Sequence, residues 1–261
     1  MSTERSAWKA VQYTVFWITM LLCLYMTTVI LVLPSSWLQG NNSYHDYLVS
    51  KLMKFPERRG KIFPIPPSTL LKYSQQWAVQ FTHTLPAVGW TILIPLQIYP
   101  GAKRLQYHKQ LGYVFVVLGL LMMAGFCVID RRGLVFTHFD YPNIAAGDHV
   151  SAMGLDFISH DWLMRVAAAW FTFTLILAVY YARQKQFAAH RRFIYRHIAS
   201  GLWVAVQRLW ILVVFPQDEA MQKAVFGDGI YVGLFVTVSL SELAILATSR
   251  VENLENKNKM S

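Results

Sequence analysis

The sequence predicts an all-α fold, a polytopic membrane bundle of six transmembrane helices, and three observations carry that expectation. Of 261 residues, 55% are hydrophobic and 15% charged, and the mean hydropathy is +0.34, a balance that few water-soluble domains reach. Six windows approach the roughly 20 apolar residues that a helix needs to cross a hydrocarbon layer, where lipid offers backbone groups no hydrogen-bond partner. No internal repeat or low-complexity tract divides the chain, so residues 1–261 read as a single transmembrane domain.

The first window, 11–33, follows Glu4, Arg5 and Lys9. Its apolar run is too long for a cleaved signal, whose core has about 7 to 15 residues, and reads as a retained helix. The second, 77–99, holds His83 and Gln97, and the third, 111–129, opens just after His108. The fourth, 162–182, carries Arg165 in its first turn, with His160 at its mouth. The fifth, 198–215, contains Arg208, and the sixth, 229–248, contains Glu242. Cys23 and Cys127 lie inside apolar runs, where they act as small apolar side chains.

Six spans put both termini on one side, with the links 100–110 and 183–197. That side B takes 13 basic and 3 acidic residues, so the whole formal charge of +10 falls on it. Its two short links contain Lys103, Arg104, Lys109, Arg183, Lys185, Arg191, Arg192 and Arg196 and no acid. Side B is therefore expected to be cytoplasmic, its cations serving topology and anionic lipid heads. Nucleic acid is not implied. The tail Lys257-Asn258-Lys259-Met260-Ser261 resembles a carboxy-terminal retrieval address of endoplasmic reticulum membrane proteins. Asn41-Asn42-Ser43, on the opposite side A, matches an N-glycosylation triplet. Together they favour the endoplasmic reticulum membrane.

The segment "AAHRRFIYRH" from Ala188 to His197 leads into the fifth span. If one helix runs through it, His190, His197 and Arg208 fall within about 20° of one line, with Ile194, Gly201 and Val204 on the same stripe. The third span repeats the pattern: His108, Gly112, Phe115, Gly119 and Met122 share a stripe. On the second, His83 and Gln97 lie within about 40° of one face and roughly 21 Å apart along the axis. Such groups should face protein rather than lipid. They form two layers, Gln97, His108, His190 and His197 toward side B, and His83, Arg208 and His160 toward side A. Glycine stripes also serve plain helix packing, histidines at span ends often sit in the headgroup zone, and Arg208 could meet Glu242.

The order of motifs resembles a widespread family of multi-pass membrane proteins known only as a domain of unknown function. Its pattern is a histidine opening a span, P-L-Q, H-x-x-L-G, H-R-R and an arginine within the next span. Here these are His83, Pro95-Leu96-Gln97, His108 to Gly112, His190 with Arg191 and Arg192, then Arg196 and Arg208. A looser likeness is to the ascorbate-reducible di-haem transmembrane cytochromes b. That resemblance implies b-type haem, with His83 facing His160 and His108 facing His190 or His197 as iron ligands. It also implies Arg208 or Arg196 at the propionates. His108, His190 and His83 are the leading ligands, and the glycine stripes would leave space for the ring.

Three functional readings follow: a haem-binding oxidoreductase served by a small reductant, a cofactor-free enzyme on an isoprenoid or other apolar lipid, and a proton-linked transporter using His83, Arg208 and Glu242. The loop 133–161 offers the second reading its acids, Asp140 and Asp156.

Overall fold

The computed structural model describes residues 2–32, 76–99, 106–135, 151, 153–154, 158–216 and 219–260. Six helical bodies make up nearly all of them. Helix α1 is Ser2–Val32; α2 is a composite of Trp77–Val79, a π-helical turn Gln80–Thr84, and Leu85–Ile98. Helices α3 (His108–Arg131), α4 (His160–Arg183), α5 (Phe187–Val214) and α6 (Glu219–Met260) complete the bundle.

Five of these are long and apolar enough to cross a membrane: Thr3–Leu31, His108–Arg131, His160–Arg183, Phe187–Val214 and Ala220–Asn258. The expected second span is the exception, because the π turn leaves an unbroken α segment of 14 residues. Pro86 sits just beyond that turn and has no N–H to return to the carbonyl one turn back, so the ladder changes register there. The fifth and sixth helices exceed the windows 198–215 and 229–248. Hydropathy sees only their apolar middles, whereas polar flanks such as Arg191 and Glu252 continue the helix and pair with each other at 2.6 Å.

Helix ends follow local chemistry. Ser159 caps α4 by accepting from the Trp162 N–H at 3.4 Å. Gly133, at φ +63, closes α3: its N–H donates to Asp130 O and that of Leu134 to Ile129 O, the paired bonds of a Schellman end. Phe215 takes the same left-handed conformation before Pro216 and stops α5.

Helix α5 is the axis of the bundle, packed on α4 and α6, with α1 closing against α6 and α2 against α3. Its residues Ile198, Leu202, Ala205 and Val206 join Phe16, Trp90, Ile94, Phe115 and Phe171 in the main core. Around this core the outward faces are apolar as well, including Trp17, Leu21, Leu24, Val117, Ile176 and Phe235. Such an apolar girdle suits a lipid bilayer and would be costly in water. Ion pairs gather toward helix ends: Arg5 with Glu255 (2.5 Å), Arg191 with Glu252, and Arg165 with Asp130 (3.0 Å).

Candidate functional site

The face of α5 carrying His190 and His197 turns inward, as does the His108 stripe of α3. They meet at His197, which is fully buried among Trp90 of α2, Phe115 of α3 and Phe171 of α4. The Trp90 indole N–H donates to His197 Nε2 at 3.2 Å, and Nδ1 lies 3.0 Å from Phe171 O. The carbonyl can only accept, so Nδ1 carries the proton and the ring is the neutral tautomer. Both nitrogens are engaged. His197 is thus the polar centre of an aromatic plug joining α2, α3, α4 and α5.

The glycines of that plug are closely approached by neighbouring helices. A Cβ on Gly201 would stand 2.7 Å from the Trp90 ring and 2.9 Å from that of Phe171, and one on Gly119 would meet Leu175 at 3.0 Å and His197 at 3.6 Å. The stripes hold close-packed side chains at this depth.

Toward side B the chemistry is different. His190 Nδ1 lies 2.8 Å from Ala178 O of α4, which fixes the ring and turns Nε2 away from that bond. His108, opening α3, is within electrostatic reach of His190, and its Nδ1 is buried without a hydrogen-bond partner. Gln97 belongs to the same end, with its Oε1 3.7 Å from where a Gly112 Cβ would stand and its Nε2 buried and unpartnered. Two imidazoles on separate helices, one held by a backbone carbonyl through Nδ1, thus share one end of the bundle with the orphaned nitrogens of His108 and Gln97.

Toward side A, His83 stands in the π turn, where α2 presses directly on α3. A Cβ on Gly125 would lie 2.5 Å from His83 Cβ and 2.7 Å from its backbone nitrogen, and His83 Nδ1 sits 2.9 Å from Met122 O. His160 is the first residue of α4. Arg208 lies on α5 within electrostatic reach of Tyr25. Glu242, which Arg208 could have met, holds Arg196 instead, with Nε–Oε1 at 2.7 Å and Nη2–Oε2 at 3.1 Å.

Among the described residues no group of three or more His, Cys, Asp or Glu gathers as a metal site. His138, Asp140, Asp148, His149 and Asp156 lie outside the described residues, as do the first loop and its Asn41-Asn42-Ser43 triplet. Trp90 is the functional neighbour that sequence reasoning passed over. Its signal was the spacing of seven from both His83 and Gln97, which places all three on one helical side. Compared with known proteins, the chain matches no family model, no curated protein and no solved structure.

Proposed function

We propose that this protein is a six-span membrane oxidoreductase that binds b-type haem at its side B end through His108 and His190. The observation that carries the reading is the His108–His190 pair itself. The two rings lie within electrostatic reach of each other on separate helices, with the His190 Nδ1–H donating to Ala178 O and the His108 Nδ1 buried and unpartnered. When bound, haem supplies a one-electron couple that the amino acids here lack. The chain's own residues bind and orient. Ala178 O holds the His190 ring, Gly112 leaves room one turn below His108, and Gln97 offers its amide hydrogens at the same level.

The wider setting belongs to the same proposal. Composite helix α2 crosses as the sixth span, since residues 77–98 reach roughly 33 Å at the rise of an α-helix. Side B faces the cytoplasm, with the membrane that of the endoplasmic reticulum; the basic links, the tail and the Asn41 triplet support this. A small reductant on side B is the partner that suits a haem there. The shared motif order with the family of unknown function agrees with a role for these polar residues.

The test is the absorption spectrum of the full chain purified after expression with haem supplied, beside His108→Ala, His190→Ala and Arg196→Gln. The native chain and Arg196→Gln should show the Soret band, and either histidine variant should lose most of it. A colourless native preparation overturns the proposal.

A further inference from the structure

Between Asp228 and Arg250, helix α6 carries a single charged side chain, Glu242. That stretch rises roughly 33 Å as a helix, about the thickness of a hydrocarbon layer, and Glu242 stands about 12 Å in from its Arg250 end. Arg196 of α5 holds both carboxylate oxygens, at 2.7 and 3.1 Å. The pair is nonetheless open at the side of the bundle: the Arg196 side chain is 32% exposed and that of Glu242 47%.

The surface around the pair is largely apolar. At the α-helical repeat, Phe235, Ser239, Glu242 and Leu246 fall within about 60° of one line. All four are exposed, Phe235 at 75% and Leu246 at 44%. Helix α6 turns its other sides to α5 and α1, and no helix among the described residues covers this outward strip.

Placed in a bilayer, an ion pair loses the water that would solvate both groups. Its own attraction offsets that loss only when the remaining hydrogens and lone pairs are bonded as well. The bidentate bond leaves guanidinium hydrogens and carboxylate lone pairs over, and acyl chains can satisfy neither. The strip therefore calls for a partner that brings a donor and an acceptor to this depth on an otherwise apolar face. A second copy of this chain does so. Opposite charges side by side at one depth are self-complementary, because a twofold axis along the membrane normal preserves depth. It sets the second copy's carboxylate against Arg196 and its guanidinium against Glu242. Ser239, one turn deeper, is the kind of small side chain that lets membrane helices approach closely.

We propose that this strip of α6, with Arg196 beside it, is the contact face of a parallel homodimer in which the two Arg196–Glu242 pairs join into one charge network. No haem is needed for this contact.

Subunit counting of the fluorescently labelled full chain in phosphatidylcholine vesicles, at falling protein-to-lipid ratio, tests this. The native chain should be dimeric and separate into monomers only on strong dilution. Glu242→Gln should move the midpoint at least fivefold toward higher protein content, as expected for loss of charge-assisted bonds across the axis. Exchanging the groups, Arg196→Glu with Glu242→Arg, should restore it. Cysteine cross-linking in a Cys127→Ser background, where the remaining Cys23 is buried, keeps both charges and serves if Glu242→Gln does not fold. Ser239→Cys should cross-link to itself across the axis, whereas Val117→Cys, exposed on α3, should not. A native chain that is monomeric at every ratio, a midpoint unmoved by Glu242→Gln, or a dimer that cross-links through Val117→Cys and not Ser239→Cys would overturn the contact face. A monomer that retains a co-purified lipid, lost in Glu242→Gln, would overturn it in favour of a lipid on the strip.

Discussion

His197 shows how one side chain can serve a bundle by being satisfied rather than reactive. Its two nitrogens accept from Trp90 and donate to Phe171 O, so three helices are tied through a single ring. Trp90→Phe would leave Nε2 buried without a donor, and should cost about 1 to 3 kcal/mol. Adding His197→Leu to that variant removes the orphaned nitrogen as well. The double variant should therefore be less destabilised than the sum of the two single ones. Chemical denaturation in detergent measures all three; strict additivity would mean that the bond carries nothing. The inward direction of His197 was legible from its spacing with His190. Its role was not, because sequence periodicity places a ring on a face without saying which donor comes to meet it from another helix.

At the scale of helices, glycine positions decide how closely neighbours approach. Gly125 lets the π turn of α2 rest on α3, with backbone atoms 2.7 Å from where a Cβ would be, whereas Gly112 faces Gln97 Oε1 at 3.7 Å. Gly125→Ala must push the two backbones apart and should destabilise by about 1 to 3 kcal/mol. Gly112→Ala should cost well under that, and melting temperatures of the two variants would show the order; the reverse order would contradict this packing. All six helical bodies were legible as apolar windows, since length and hydropathy are local properties. Their ends were less so. Polar first and last turns extend α5 and α6 past the apolar middles, and the π turn before Pro86 changes register without changing composition. The pairing of Glu242 with Arg196 rather than Arg208 belongs to the same class, being set by how α5 and α6 lie side by side.

Taken over the described residues, the molecule is a helical bundle with an apolar girdle, a close-packed aromatic centre and polar clusters toward its ends. The aromatic plug of Trp90, Phe115, Phe171 and His197 fills the middle of α2 to α5. That His197 would sit in a closed aromatic centre was not readable in the sequence, because it depends on side chains from four helices arriving at one point. The most direct measurement is the electron paramagnetic resonance spectrum of the oxidised, haem-supplied full chain. Two axial imidazoles on ferric haem give a low-spin signal, which should vanish in both His108→Ala and His190→Ala. A high-spin signal, or no iron signal from well-folded protein, would contradict the account.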